Sequence, residues 1–384
     1  MRCKVTEIRF VNNEELKHAA ALSDSIFRDS EQTSMGVAFP QIFSSGLNQS
    51  MAAFEAGKLV AFMGLVPNII NIGRSQLQVH SLGSVCTDSE YRGKGHASLL
   101  LEQIYTFIKD SGSSLLLVSG DRTLYTRSGC RKFGEIKHYS ITVQDAETIR
   151  QSNEGSSVNL RLFEAKDAFA LHKLRKNNSV AFEESLFGTT QLIESEAVAS
   201  IAKLKHKLYV AELAGKIIAS LIVAVQDKHA SKAEPFIVEW NGVASVAVNL
   251  IAYAIQQDSL AKINLYSPWH ELDMHETLEG VSHTTIHNSG TIKIVDSKKL
   301  WEQLQPHLNE KSPDASAVVE LLEADEADTV QLSVLGNVIR LSYDEVVDLL
   351  FNPLANVPLL KPYKSVLDHL FPIAFPYTAG LHYV

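Results

Sequence analysis

Six consecutive residues, Arg92-Gly93-Lys94-Gly95-His96-Ala97, place two glycines and several cationic side chains in one short turn. Upstream, Leu77, Val79 and Val85 read as a buried strand, and downstream Ala97, Leu100, Leu101, Ile104 and Ile108 recur at helical spacing. The turn therefore stands where a strand hands over to a helix. A helix start carries unpaired N–H groups and the positive end of the dipole, and both suit a phosphate. Gly93 and Gly95 let the backbone approach an anion closely, while Arg92, Lys94 and His96 supply charge around it. The ligand that this arrangement implies is a pyrophosphate.

Two familiar phosphate loops do not fit. The Walker loop ends in Gly-Lys-Ser/Thr and the dinucleotide fingerprint opens a helix with three glycines, and neither pattern is present. The stretch instead resembles the GNAT acyltransferase motif, Arg/Gln-x-x-Gly-x-Gly/Ala, which Arg92, Gly95 and Ala97 satisfy. After the helix, Leu115, Leu116, Leu117 and Val118 form the continuous apolar run of a central strand. Leu124-Tyr125-Thr126-Arg127-Ser128-Gly129-Cys130 then resembles the GNAT segment that sets a tyrosine beside the leaving thiolate. The resemblance implies that Arg92, Gly93, Lys94, Gly95, His96 and Ala97 hold the pyrophosphate of acetyl-CoA. It also implies that backbone N–H groups at Val85 and Cys86 bind the pantetheine arm and polarise the thioester carbonyl, and that Tyr125 is the general acid. A phenol with an ordinary pKa near 10 is protonated at neutral pH and available to a nascent thiolate.

Other residues offer chemistry and are read more plainly. His80 precedes the loop strand and is either a base or a hydrogen-bonded core residue. The histidines of His270-Glu271-Leu272-Asp273-Met274-His275 are not four apart, and His283 and His287, which are, lack the glutamate of a zincin helix. No metal is expected. Cys3, Cys86 and Cys130 form an odd, sparse set without a Cys-x-x-Cys pair, so neither a disulfide framework nor a structural zinc is implied. Cys86 reads as a small buried residue rather than a nucleophile.

These residues must be positioned by a chain of 384 residues, too long for one ordinary core and suited to two or three domains. With 45% hydrophobic and 21% charged residues it has the composition of a globular protein. A net charge of −9 argues against a nucleic-acid binder and is compatible with cationic substrates. The opening Met1-Arg2-Cys3-Lys4-Val5-Thr6-Glu7 has no signal-peptide core and no apolar run is long enough to span a bilayer, so no membrane partner and a cytoplasmic location are expected.

Along the chain, Ile8 to about Asp29 has helical spacing, and a second helical or irregular piece reaches Gln49. Met51–Val66 reads as a hairpin turning at Ala56-Gly57-Lys58. Ile136–Val143 closes a first domain, 1–150, before the polar stretch 151–157. Ala211-Glu212-Leu213-Ala214-Gly215-Lys216-Ile217-Ile218-Ala219 then repeats the pattern of Ala53-Phe54-Glu55-Ala56-Gly57-Lys58-Leu59-Val60-Ala61. A strand, helix and strand follow each copy. The second copy has Glu239-Trp240-Asn241-Gly242-Val243 at the strand-to-helix junction, with no arginine or lysine. Residues 158–282 are therefore expected to be a second GNAT-like domain without the pyrophosphate loop. From 285 to 384, a strand (Gly290–Val295), a helix capped at Ser297, a hairpin turning at Gly336-Asn337 and a helix with a capping box at Ser342 suggest a small α+β domain. The apolar, aromatic end, Phe371 to Val384, is expected to be buried.

Two tandem GNAT folds, each a mixed central sheet flanked by helices, followed by a small sterol-carrier-protein-like α+β domain, resemble the enhanced-intracellular-survival (Eis-like) acetyltransferases. The resemblance implies an acetyl-CoA-dependent N-acetyltransferase that acts on a primary amine, either an aminoglycoside- or polyamine-like small molecule or a lysine, and a homo-oligomer. It also implies that the terminal carboxylate, here that of Val384, enters the active site and serves as the base. His80 is the other base open at this stage. Ser128 and Cys130 depart from the family's Tyr-Gly-Arg-Phe-Gly-Tyr segment and bear on pocket shape. A non-catalytic acyl-CoA- or lipid-binding scaffold is the alternative reading.

Overall fold

The computed structural model describes residues 6–44, 46–152, 157–227, 231–323, 329–353 and 355–384. The chain forms two compact units: Met1–Gly134 with Ser289–Ile373 and Val384, and Glu135–Asn288 with Ala374–Tyr383.

The first unit opens with β1 (Thr6–Phe10), followed by the helix Asn13–Phe27. Asn12 Oδ1 accepts from the N–H groups of Glu14 and Glu15, and the Glu15 carboxylate accepts from the Asn12 N–H in return. This capping box splits strand from helix inside a stretch whose spacing predicts helix throughout. β2 (Met51–Glu55), β3 (Lys58–Ile72) and β4 (Ser75–Thr87) form an antiparallel meander, and β5 (Leu115–Val118) joins β4 in parallel. The hairpin turns on Ala56 and Gly57 alone, with φ of 52° and 79°, the primed turn that matches strand twist. The β4–β5 crossover is the helix His96–Asp110, which lays Leu100, Leu101, Ile104 and Ile108 on Met63, Leu65, Leu82, Leu116 and Val118. Each such burial contributes roughly 1.5–3 kcal/mol, and this packing holds the helix start at the end of β4.

The second unit contains β6 (Ile136–Thr142), β7 (Asn159–Leu162), β8 (Val180–Phe182), β9 (Leu204–Leu213), β10 (Lys216–Gln226), β11 (Phe236–Gly242), β12 (Lys262–Pro268) and β13 (His283–Ile286). Its sheet runs β13-β6-β12-β11-β10-β9-β7, with the helix Ala244–Gln257 crossing from β11 to β12. The repeat seen in the sequence extends to backbone detail. Ala214 and Gly215 take φ of 48° and 78°, as Ala56 and Gly57 do. Both hairpins carry a bulge two residues past the lysine, at Val60 and at Ile218. A further match is absent from the aligned strings. Arg9 of β1 pairs with Glu15 across a capping box and faces Ala52, while Arg161 of β7 pairs with Asp167 across another and faces Val210, the position equivalent to Ala52.

The domain limits differ from those read in the sequence. β6, placed there at the close of domain 1–150, lies between β12 and β13 of the second sheet. Its alternating burial suits either sheet, so local pattern alone does not choose. β14 (Thr291–Ile294), placed in a separate domain 285–384, pairs antiparallel with β5 and extends the first sheet. The helix Ser297–Lys311 follows, and Gln303 Oε1 accepts from the Gln78 N–H at 3.2 Å and Ser114 Oγ at 2.7 Å. Its cap is Asp296, not Ser297. β15 (Val319–Glu323), β16 (Thr329–Val334) and β17 (Asn337–Ser342) make a three-stranded antiparallel sheet, turning at Leu335-Gly336 rather than Gly336-Asn337. The capping box of Ser342 and Glu345 starts the helix Tyr343–Phe351.

The tail Ala374–Tyr383 is buried in the second unit. Leu381 packs on Leu192, Ile222 and Val238, and Asn288 donates to Pro376 O at 2.9 Å while accepting from the Thr378 N–H and hydroxyl.

Candidate active site

β4 and β5 pair from Val79↔Leu115 to Leu82↔Val118 and then part, the last bond being Ser119 N–H to Leu82 O at 3.2 Å. β4 continues along β3 to Thr87, leaving its other edge open from Gly83 onward. On this interval Phe62 faces Cys86 while Gly64 faces Gly83, so β4 carries one residue more than β3. The bulge holds Ser84 at φ 50°, and Ser84 Oγ is buried without a hydrogen-bond partner among the described residues. Bulges of this kind re-aim strand groups, here beside Val85 and Cys86.

Beyond β4, Asp88 caps the short turn Ser89–Tyr91 through the Glu90 N–H and holds Lys58 at 2.8 Å, which keeps its carboxyl below the usual range. Gly93 and Gly95 then take φ of 75° and 84°, and a Cβ at either would meet nothing within 4 Å. Gly95 is the N-cap of His96–Asp110, and no side chain caps that helix. The exposed Arg92 donates to Thr87 O at 3.3 Å, and Lys94 Nζ lies 4.2 Å from the centre of the Tyr91 ring. Free amides, the dipole's positive end and two exposed cations thus face open space, which fits a pyrophosphate. His96 departs from the expectation that its side chain adds charge there. Its ring is turned inward, with Nε2 2.9 Å from Glu55 Oε1 but off the line of a well-formed hydrogen bond. As the first helical residue on an amphipathic helix it falls on the core face, so what it offers an anion is its N–H. Ala97 is half-buried behind it.

Tyr125 sits on the short helix Thr123–Arg127 after β5 and is buried with Leu82, Val118 and Leu100. Ser128 Oγ lies within bonding distance of Leu124 O and Tyr125 O and accepts from Tyr105 Oη at 2.8 Å. Ser128, a departure from the family segment, therefore ties the Tyr125 helix to the crossover helix. Burial pushes Tyr105 far above the ordinary phenol value. Tyr105 was not singled out in the sequence, because a tyrosine at a helix position facing inward carries no motif. The Cys86 thiol is 3.5 Å from Ser23 Oγ, and burial pushes it up to about 11, which excludes a thiolate nucleophile at neutral pH.

His80 is engaged at both ring nitrogens, Nδ1 with Ser113 Oγ at 2.8 Å and Nε2 with Gln49 Oε1 at 2.9 Å. Burial lowers it to about 4. It is a neutral, buried residue on the paired part of β4, with both ring nitrogens engaged. Val384 is 6% exposed, and its main chain lies on Gly83: a Cβ there would stand 2.2 Å from Val384 C. Among the described residues no cation lies within 4 Å of its carboxylate.

The corresponding junction of the second unit, Glu239 to Val243, carries no arginine or lysine of its own. Glu239 is held by Arg175 at 2.7 and 3.0 Å, and a Cβ on Gly242 would stand 2.2 Å from Ile218 O, so β11 closes onto the bulge. His275 is spent on Tyr139 Oη and Pro268 O. Among the described residues no group of three or more His, Cys, Asp or Glu side chains is placed to hold a metal, and no helix is long and apolar enough to cross a membrane.

Residues 7–133 match the family model for an acetyltransferase (GNAT) domain. A GCN5-related N-acetyltransferase from Anabaena variabilis shares the fold at 14% identity and a TM-score of 0.64, with 98% of both chains covered. One from Kribbella flavida shares it at 13% identity and a TM-score of 0.64, covering 97% of this chain and 99% of that one. Eis1 from Mycobacterium abscessus shares it at 13% identity and a TM-score of 0.57, covering 88% of this chain and 85% of that one. No curated protein sequence matches the chain.

Proposed function

We propose that this chain, which carries a GNAT acetyltransferase domain over residues 7–133, transfers an acetyl group from acetyl-CoA to a primary amine. The observation that carries the reading is the uncapped helix start at Gly95, set at the end of the strand where β4 parts from β5. The turn from Arg92 to Ala97 would hold the pyrophosphate, and the open edge of β4 at Val85 and Cys86 would hold the pantetheine arm. Backbone N–H groups on that edge would also take up the charge that develops on the thioester oxygen.

Acetyl-CoA supplies the activated acyl group. The amine nitrogen forms a bond to the acyl carbon, the C–S bond breaks, and Tyr125 donates its proton to the departing thiolate. In this reading the terminal carboxylate of Val384, held on Gly83, binds the ammonium and takes its proton. The net acidity of the chain favours a cationic acceptor such as a polyamine, an aminoglycoside-like amine or a lysine side chain.

Free-thiol release from acetyl-CoA, measured against a panel of these amines, tests the proposal. Amine-dependent release that falls about 100-fold or more in Tyr125→Phe would support the acid. A short tag added after Val384 should abolish release; full activity in the tagged chain would remove the carboxylate from the mechanism. Tight binding of acetyl-CoA with no release for any amine would favour a cofactor-binding scaffold.

A further inference from the structure

The second unit holds a partly open chamber of about 100 Å³ that the acetyl-transfer reading does not use. β11 and β12 form one parallel pair, Phe236↔Asn264, and the chamber lies between their diverging ends. The tail lines it too. Tyr377 stacks on Tyr266 at 5.4 Å and 7°, His382 stacks on Phe182 at 4.5 Å and 10°, and a Cβ on Gly380 would stand 3.0 Å from Val238 O. Trp240 lines it as well, among aliphatic and polar residues.

The polar groups in those walls include acceptors that take no hydrogen bond. Glu271 accepts from Ser267 Oγ at 2.6 Å and Trp240 Nε1 at 3.2 Å, both on Oε2, so Oε1 takes no hydrogen bond among the described residues. Burial pushes this carboxyl up to about 7, with no cation paired to it. His382 is 6% exposed, and its Nε2 makes no hydrogen bond, standing 3.7 Å from Glu184 Oε2. His270 Nδ1 is likewise unpartnered, and burial lowers that ring to about 4, so it is a neutral acceptor or donor by tautomer. The one cation of the wall, Arg175, is occupied by Glu239 and Thr189.

These facts discriminate among ligands. An anion would meet Glu271 and Glu239 with Arg175 already engaged. A purely apolar molecule would leave buried acceptors unpaired, which is costly. A small cation with several N–H donors satisfies the acceptors.

We infer that this chamber is a second site that binds a small primary alkylammonium, with its nitrogen at Glu271 Oε1 and its carbon stem along Trp240 and Leu265. Occupancy requires no acetyl-CoA and does not depend on the transferase reading.

The test uses the full chain without acetyl-CoA, titrated with propylammonium chloride at constant ionic strength and followed by calorimetry and tryptophan emission. Saturable binding is expected for propylammonium and not for its uncharged analogue 1-propanol. Affinity should fall about tenfold or more in Glu271→Gln, which places the ammonium in this chamber and not at the Val384 carboxylate. Trp240→Phe should remove the emission change. If Glu271→Gln does not fold, His270→Gln carries the same comparison, with weakened binding expected. The proposal is overturned by absence of saturable binding, by equal binding of 1-propanol, or by wild-type affinity in a folded Glu271→Gln or, in its place, His270→Gln.

Discussion

Gly83 sets how closely the last residue can lie on β4. An alanine there would place its Cβ 2.2 Å from Val384 C, a contact against backbone rather than a flexible side-chain end. Gly83→Ala is expected to cost about 1–3 kcal/mol or to release the tail end. Thiol-release assays should then show a large loss of turnover with acetyl-CoA affinity little changed. A glycine inside a strand does signal a bulge or a close approach, but its partner sits at the far end of the sequence, where no local pattern points to it. His80 shows the reverse case, a residue with chemical potential that packing has spent. Its folded pKa of about 4 lies below the ordinary 6.5, so between those values the unfolded chain binds the extra proton. Its contribution is fully present above pH 6.5 and is lost as pH falls toward 4. Urea unfolding across this window should show stability falling with pH, and His80→Gln should reduce the slope, with His270, which burial also lowers to about 4, keeping part of it. A slope unchanged by the substitution would assign the effect elsewhere.

At the scale of elements, the strand-turn-helix around Arg92 was legible because each part has a local cause. Apolar periodicity marks strand and helix, and glycine marks the turn between them. The structure adds that both glycines take left-handed backbone, which accounts for their type as well as their spacing. Gly95→Ala is expected to cost about 1 kcal/mol in the melting transition. Arg92→Glu should raise KM for acetyl-CoA about tenfold with kcat nearly unchanged, since it removes an attraction that is present throughout the reaction. An unchanged KM would move the pyrophosphate away from this turn. The repeated hairpin was also visible, whereas the paired arginine and capping box of β1 and β7 were not. Their equivalence lies in register and hydrogen bonds, with Asn12 replaced by Glu164 and Glu15 by Asp167.

For the whole molecule, the first unit is discontinuous in sequence. β14 covers the edge of β5, whose Leu115, Leu116, Leu117 and Val118 are all buried. A fragment of residues 1–150 would expose that edge and would carry β6 without its partners β12 and β13. Such a fragment is expected to aggregate or to lack a cooperative melt, because an open apolar strand edge pairs with other chains. A soluble, cooperatively folding 1–150 would show that the first sheet is stable without β14. The sequence boundary after 150 followed the polar stretch 151–157, and a polar stretch marks a surface loop, which can connect strands of one sheet or of two.

What the sequence by itself determined is local. It specified the hairpins at Ala56-Gly57 and Ala214-Gly215, the glycine turn before the crossover helix, the capping box at Ser342 and the apolar strand at Leu115–Val118, because each depends on backbone preference or periodicity within a few residues. Tertiary structure alone decided which sheet receives β6 and β14, that His96 and His80 are turned into the core, and that Val384 rests on Gly83. Those outcomes depend on contacts between segments far apart in the chain, where burial and hydrogen-bond satisfaction choose among placements that local pattern leaves equivalent.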